Sequence, residues 1–167
     1  MATRVTQLET EVHETKKFDC GNAKLNEFLY STASQHQRKL ISKTYILVDD
    51  EQPAEVMGFY TLALRRMMLA GELPPEMAKR LPREVPGFSL ARLAVHQAFQ
   101  HQGHGEYLLM HAIDRAARVA AEVGGYAIFV DAKSIDGATW YQQYGFVRLP
   151  DDPLTLCLPI NSLPKTY

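Results

Sequence analysis

The stretch from Phe88 to Gly105 places the strongest constraint on how this chain can fold. Its first half is dominated by apolar residues, its second half is a short polar loop with two glycines, and a long amphipathic segment follows directly. This order predicts a strand, a loop and a helix, with backbone N–H groups of the loop facing outward at the positive end of the helix dipole. Gly103 and Gly105 carry no Cβ, so a ligand can approach the backbone closely. The stretch therefore predicts an anion site suited to a phosphate or a pyrophosphate.

Two common phosphate-binding motifs do not fit the spacing of this loop. It has no Gly-Lys-Ser/Thr sequence to form a nucleotide P-loop, and no third glycine to complete a dinucleotide-binding fingerprint. Two glycines in a loop also often form no more than a tight turn. From the glycines alone, a turn and an anion site both remain open.

The order of predicted elements favours one α/β domain. A chain of 167 residues is long enough for one domain with a sizeable core. Asn22 is expected to cap a helix that extends to about Leu40. The other predicted helices cover 74–81, 104–123 and 137–144, and the predicted strands cover 6–12, 44–48, 55–64, 126–130, 146–149 and 155–158. The excursion at 65–87 is expected on the surface, and the tail after Pro159 is expected to be poorly ordered.

Composition and charge narrow the function classes. The chain has 46% hydrophobic and 22% charged residues and a net charge of −1, so an RNA substrate would need a local basic patch. The N-terminus has no apolar signal region and no run is long enough to span a membrane, so we expect a cytoplasmic protein with no membrane partner. Cys20 and Cys157 lie far apart without metal-ligand spacing, which predicts two separate thiols and no metal site.

Several motifs resemble those of GNAT-type N-acetyltransferases. The segment Gln100-His-Gln-Gly-His-Gly105 fits the Arg/Gln-x-x-Gly-x-Gly/Ala loop that holds the pyrophosphate of acetyl-CoA in that family. Trp140-Tyr-Gln-Gln-Tyr-Gly-Phe146 resembles its Phe/Leu-Tyr-x-x-x-Gly-Phe element. Phe18-Asp-Cys-Gly21, followed by a Leu-Asn pair, is similar to the start of the toxin branch of bacterial type II toxin–antitoxin systems. Blocks at 58–62 and 92–95 are similar to further parts of that branch, so the resemblance runs from about residue 18 to residue 146.

The resemblance implies both a fold and an activity. The fold would be a single GNAT domain over residues 1–167, with a mixed, strongly twisted sheet whose central strands splay and whose faces carry helices. The activity would be transfer of the acetyl group of acetyl-CoA to the amino group of aminoacyl-tRNA, which blocks translation. A small DNA-binding antitoxin and a homodimer are the partners that the resemblance implies.

The resemblance also assigns residues to the acetyl donor. Backbone N–H groups of residues 102–105 would bind the pyrophosphate, with the Gln100 side chain as a helper. The backbone at Leu93 and Val95 would pair with the pantetheine amides, and the Val95 N–H would polarise the thioester carbonyl. Ser134 stands where many members have an asparagine near the coenzyme A thiol. The full predicted donor site is Leu93, Ala94, Val95, Gln100, His101, Gln102, Gly103, His104, Gly105 and Ser134.

The resemblance places the family's general-acid tyrosine at Tyr141, which is therefore the predicted proton donor to the leaving thiolate. A phenol can donate a proton without carrying charge at rest. An isolated tyrosine there would more simply form the aromatic face of a short helix, but Gly145-Phe146 and the distance from the loop favour the proton donor. Tyr144 is expected to pack in the core or in a dimer. No residue stands out as a general base. His96, His101 and His104 near the loop are expected to be solvated polar residues. An aminoacyl ester amine is weakly basic, so a water would suffice to deprotonate it.

The acceptor is less tightly defined than the donor. Each basic cluster by itself fits a solvated face, but together the cationic residues could grip the phosphates of a tRNA. Arg92 fits a substrate-side cation and a structural ion pair equally well. Small amines and protein amino groups remain alternative acceptors, and a non-catalytic acyl-CoA-binding partner protein is the alternative of another class. The predicted tRNA patch is Arg38, Lys39, Arg65, Arg66, Arg80, Arg83 and Arg92.

Overall fold

The computed structural model describes residues 2–163, which contain nine β-strands and five α-helices. The strands are β1 (Thr3–Gln7), β2 (Lys43–Asp49), β3 (Gly58–Leu64), β4 (Met68–Leu69), β5 (Glu84–Val85), β6 (Gly87–Val95), β7 (Ala127–Asp131), β8 (Val147–Leu149) and β9 (Asp152–Pro159). The helices are α1 (Ala23–Glu27), α2 (Ala33–Arg38), α3 (Pro75–Ala78), α4 (His104–Val123) and α5 (Ile135–Gln142).

Seven of the strands in the described part of the chain form a mixed sheet in the order β1-β2-β3-β6-β7-β9-β8. The pair β6–β7 is parallel, while β1–β2, β2–β3, β7–β9 and β8–β9 are antiparallel. Strands β4 and β5 form a separate two-stranded ladder. The predicted α/β class, a mixed sheet flanked by helices, is confirmed.

The chain divides into two compact units, each with its own core. One unit comprises Met1–Ala63 and Ala91–Asp114, and the other comprises Leu64–Leu90 and Arg115–Tyr167. The prediction of one domain over the whole length stays a prediction.

The first unit is built around an apolar cluster with an aromatic centre. Phe59 lies edge-on to Phe18, with ring centroids 5.4 Å apart, and is stacked with Phe28 at 6.5 Å. The predicted cap at Asn22 is confirmed, because its side chain accepts a hydrogen bond from the Leu25 N–H at 3.1 Å. The buried members of the cluster are Leu8, Phe18, Phe28, Leu29, Ala33, Ile46, Val48, Val56, Phe59 and Ala94.

The helix that Asn22 begins is interrupted in a way that the sequence did not predict. Between α1 and α2, residues Phe28–Thr32 form a π-turn, and the Ala33 N–H donates to the carbonyl of Phe28. The apolar spacing of the segment fits an α-helix, so its period gives no sign of the extra residue in this turn.

The second unit corrects the expectation that the excursion at 65–87 lies on the surface. Met68, Leu73 and Val85 from this excursion are 1–2% exposed. They share a buried cluster with Ala127, Phe129, Leu149 and Cys157. The excursion therefore supplies part of a core, although Met67 and Leu69 from the same segment are exposed.

Some element boundaries differ from prediction for local reasons. The first strand is β1 and does not reach Val12, because the chain after Gln7 enters a turn in which the Val12 N–H donates to the Glu9 carbonyl at 3.0 Å. Helix α5 begins at Ile135, two residues early, because Ser134 caps it. After Pro159 a 3-10 turn covers Ile160–Ser162, and the remainder of the tail expected to be poorly ordered, 164–167, lies outside the described residues.

Gly87, where β6 pairs with β7, tests the packing of the second unit. A Cβ added there would lie 2.7 Å from the Ala127 carbonyl oxygen and 2.7 Å from the Phe129 ring. Because the backbone oxygen belongs to the strand ladder and cannot move cheaply, we expect Gly87→Ala to lower the free energy of unfolding by about 1–3 kcal/mol. Urea denaturation measures this.

Gly71→Ala is the matched control for that experiment. A Cβ at Gly71 meets no atom within 4 Å, so its effect should stay within about 0.5 kcal/mol. Equal stabilities of the two variants would contradict the close approach at Gly87.

Candidate active site

The loop between β6 and α4 has the backbone conformation of an anion-binding nest. His101 and Gly103 both adopt left-handed conformations, with φ of 64° and 86°. Alternation of this kind turns successive N–H groups toward one concave surface. A Cβ at Gly103 would meet no protein atom within 4 Å, so that surface is open. A histidine held at positive φ is uncommon and marks the loop as constrained.

The N–H groups of this loop are available to a ligand. In the described part of the chain, no backbone N–H of residues 101–106 donates a hydrogen bond to another protein group. Helix α4 begins at His104, so the positive end of its dipole lies at the same place. The unbonded donors and the dipole together favour an anion site over a simple turn at this loop, and the assignment of the donor-site residues stays a prediction.

Gln100 has a structural task at the start of this loop. Its Nε2 donates to the carbonyl of Val95 at 2.9 Å and to the carbonyl of Cys20 at 3.1 Å. Both amide hydrogens are therefore used inside the protein. The structure places Gln100 as a clamp between the end of β6 and the turn at Cys20, whereas the sequence suggested a helper for the pyrophosphate.

The turn at Cys20 is itself tightly bonded. Asp19 Oδ1 accepts from the Gly21 N–H at 2.9 Å and from Asn26 Nδ2 at 3.0 Å, and these bonds lower the pKa of Asp19. Asn26 Oδ1 in turn accepts from the Cys20 N–H, and the Asp19 carbonyl accepts from the Gln97 N–H at 2.8 Å. The Phe-Asp-Cys-Gly motif thus anchors the start of the loop between β6 and α4 through the carbonyls of Asp19 and Cys20. The spacing of the motif alone did not indicate this role.

The histidines differ in exposure. His101 is exposed, whereas His96 and His104 are half-buried. His96 Nδ1 accepts from the Ala98 N–H at 3.2 Å, and its ring lies between those of Phe18 and Phe99 at 5.7 and 5.9 Å. The expectation of three solvated histidines therefore holds for His101 only. Residues 2–163 contain no group of three or more His, Cys, Asp or Glu side chains placed to hold a metal ion.

Leu93, Ala94 and Val95 lie on the part of β6 beyond its ladder with β7. That ladder pairs Gly87–Ser89 with residues 127–129, although β6 itself continues to Val95. Ser134, the other predicted donor-site residue, is the N-cap of α5, and its Oγ accepts from the Gly137 N–H at 3.1 Å.

Tyr141 lies on α5 in a strongly apolar setting. Its ring is edge-on to Trp140 at 4.9 Å and to Phe146 at 5.5 Å. Burial raises the pKa of Tyr141 to about 12, so the phenol keeps its proton at neutral pH. Its hydroxyl makes no hydrogen bond to another group of the described chain. The ring of Tyr144 packs against Trp140 at 5.0 Å, as expected for a packing residue.

Two of the predicted tRNA-contacting cations are already paired. Arg65 forms a two-pronged ion pair with Asp131, both distances 3.0 Å, and its side chain is only 13% exposed. This bond lowers the pKa of Asp131. Arg66 pairs with Glu72 at 2.8 Å. The carboxylates offset both positive charges, so either arginine would have to leave its partner to reach a phosphate.

The other predicted cations have no carboxylate partner within residues 2–163. For Arg92 this removes the support for a structural ion pair. Its guanidinium lies 3.8 Å from the ring centroid of Phe28 instead, and desolvation lowers its pKa. The unpaired set is Arg38, Lys39, Arg80, Arg83 and Arg92.

The chain belongs to the GNAT acetyltransferase family, because the family model described as the acetyltransferase (GNAT) domain matches residues 41–148. It is also similar to the "tRNA-acetylating toxin" of Mycobacterium tuberculosis, with 30% identity over 149 residues, which cover 89% of this chain and 87% of that protein. The predicted family is confirmed.

Two solved structures extend the comparison to complexes. AtaT complexed with acetyl-methionyl-tRNAfMet matches with a TM-score of 0.89 and 28% identity, over 96% of both chains. A tyrosine-to-phenylalanine mutant of AtaT, bound to the C-terminus of the antitoxin AtaR and acetyl-CoA, matches with a TM-score of 0.80 and 27% identity, over 96% of this chain and 94% of that chain. Among residues 2–163, no helix has the length and apolarity needed to cross a bilayer.

Removal of the Gln100 amide tests its task as a clamp. Gln100→Ala leaves the carbonyls of Val95 and Cys20 without this donor, so we expect the free energy of unfolding to fall by about 1–3 kcal/mol. Denaturation in urea, compared with Gln143→Ala as an exposed control, provides the measurement. An equal change in both variants would show that the clamp contributes nothing to stability.

Proposed function

We propose that this chain transfers the acetyl group of acetyl-CoA to the amino group of aminoacyl-tRNA and thereby blocks translation as a toxin. The observation that carries the acetyltransferase chemistry is the loop at 101–106, whose N–H groups have no protein acceptor in the described chain. The similarity to a tRNA-acetylating toxin and to AtaT, over most of each chain, supports the acceptor.

The proposed donor site fits the anionic part of coenzyme A. The nest at His101 and Gly103 would bind the pyrophosphate through backbone N–H groups alone, without a lysine or arginine. The backbone of Leu93 and Val95 would align the pantetheine arm, and the Val95 N–H would polarise the thioester carbonyl. Gln100 would stabilise this arrangement, because its side-chain amide donates a hydrogen bond to the Val95 carbonyl and so fixes the backbone there.

Tyr141 is the proposed proton donor. When the acceptor amine attacks the thioester carbonyl carbon, a C–N bond forms, the C–S bond breaks, and the thiolate leaves. Tyr141 then supplies the proton that the sulfur needs, and solvent returns a proton to the phenolate. The amine loses its own proton to water, since an aminoacyl ester amine is weakly basic.

A phenol with a pKa of about 12 transfers its proton readily to a thiolate only if the pKa of the corresponding thiol is also high. An ordinary thiol has a pKa near 8.5, which would make this transfer unfavourable. A thiol that lies in similarly buried surroundings would also have a raised pKa, because burial disfavours the charged form of a thiol as it does that of a phenol.

The tRNA would be held by a subset of the predicted cations. Five of them have no carboxylate partner in the described chain, whereas Arg65 and Arg66 are paired. We therefore assign phosphate contacts first to the unpaired set of Arg38, Lys39, Arg80, Arg83 and Arg92.

The proposed setting follows from the substrate. Charged tRNAs are used in the cytoplasm, so we place the protein there. The complex of AtaT with the C-terminus of AtaR supports an antitoxin partner, for which a small DNA-binding protein remains the expectation. The homodimer also remains a prediction.

Acetylation of charged tRNA tests the proposal. Purified protein with labelled acetyl-CoA and a mixture of charged tRNAs should place the label on the aminoacyl end. Tyr141→Phe should lower kcat by about 10²–10⁴-fold, the usual contribution of a positioned acid. Tyr144→Phe is the matched control and should retain most of the activity, because Tyr144 is assigned only to packing.

Each departure from this result has a definite meaning. Binding of acetyl-CoA without label on charged tRNA would contradict the toxin proposal. It would favour a small amine or a protein amino group as acceptor. Unchanged kcat in Tyr141→Phe would remove Tyr141 as the donor. Binding of the donor without transfer to any amine would favour a non-catalytic acyl-CoA-binding protein.

A further inference from the structure

Arg92 occupies an unusual position for a charged side chain. On a strand, alternate residues face the same side, so Arg92 shares its side of β6 with Ala94. Ala94 belongs to the buried apolar cluster that also contains Phe28 and Phe59. The guanidinium is thus placed at the edge of a core, 3.8 Å from the centre of the Phe28 ring.

Among the residues that the structure describes, the charge of Arg92 is stabilised by the aromatic face of Phe28 and by no carboxylate. No carboxylate within residues 2–163 pairs with it, although desolvation of a cation is costly. Arg65 provides the contrast, because that half-buried arginine lies over Phe129 at 5.2 Å and also has the carboxylate of Asp131. Arg92 has an aromatic ring as Arg65 does, but within residues 2–163 it has no carboxylate that corresponds to Asp131. An anionic group of a ligand could therefore take the position of that carboxylate.

Phe28 is a fixed platform for this guanidinium. It is the first residue of the π-turn Phe28–Thr32, a type of turn that is frequent at functional sites. Its ring is stacked with Phe59 and lies edge-on to His36, with centroids 6.0 Å apart. A guanidinium whose face rests on a ring keeps the N–H donors along its edges for a ligand.

We propose that Arg92, supported by Phe28, binds the phosphate nearest to the aminoacyl ester in the unpaired 3′ end of the acceptor. The planar fork of arginine suits a phosphate, and unpaired RNA ends are commonly recognised through exposed phosphates and bases. The phosphates of the acetyl donor already have a place, at the loop 101–106 on the same unit. This inference rests on the proposed function.

Two minimal acceptors differ by the phosphate nearest to the ester and by the cytidine attached to it. Aminoacyl-adenosine carries the ester alone, while the aminoacylated dinucleotide CpA carries the same ester with that phosphate and the cytidine, so the Arg92 variant is what assigns a preference to the phosphate. The wild-type protein should acetylate the dinucleotide with a kcat/KM about 10–100-fold higher, because one charge-assisted contact is added. Arg92→Lys, which keeps the charge and loses the fork, should remove most of this preference, because kcat/KM should fall far more for the dinucleotide than for aminoacyl-adenosine.

Controls separate the possible outcomes. Arg148→Lys changes an arginine whose one hydrogen bond within residues 2–163 goes to Thr139 Oγ1, and it should keep the wild-type preference. Phe28→Leu should weaken the preference as Arg92→Lys does, while the KM for acetyl-CoA stays unchanged in both variants.

Equal loss on both minimal acceptors, or a rise in the KM for acetyl-CoA alone, would overturn the role of Arg92 and leave the proposed function standing. Failure of the wild-type protein to acetylate either acceptor or charged tRNA would overturn the proposed function together with this inference.

Discussion

Within the part of the chain that the structure describes, the backbone N–H groups of residues 101–106 donate no hydrogen bond, and this constrains how the loop and its neighbours are arranged. Donors in such number require an anion or water, and their positions are set by two left-handed residues, His101 and Gly103. The surrounding chain holds that geometry in place. Gln100 ties the start of the loop to β6 and to the turn at Cys20, and α4 adds its dipole from the other side.

The arginines of the chain have two kinds of environment. Arg65 and Arg66 are neutralised by Asp131 and Glu72. Arg92 has no carboxylate partner within residues 2–163, and its guanidinium lies over the ring of Phe28. A chain with a net charge of −1 can therefore carry local positive charge, since some arginines in the described part of the chain have no carboxylate partner.

The parts that were predictable from the sequence depend on local signals. The bounds of α4 follow from its apolar period and from the glycines at either end, and Asn22 is a capping residue by type. The parts that were not predictable depend on contacts between distant residues. Gln100 binds the carbonyl of a residue 80 positions away, and Arg65 pairs with a carboxylate 66 positions away. The burial of the excursion at 65–87 was missed for the same reason, because its apolar residues become core only when β7 and β9 are present.

We propose that the amides of residues 101–106 bind the pyrophosphate of the acetyl donor. Nuclear magnetic resonance of the 15N-labelled protein tests this binding, with coenzyme A and then with pantetheine, which lacks the phosphates. We expect coenzyme A to shift the amide signals of residues 101–106 and pantetheine to leave them in place. Amide signals at 101–106 that stay unchanged at saturating coenzyme A would contradict this proposal.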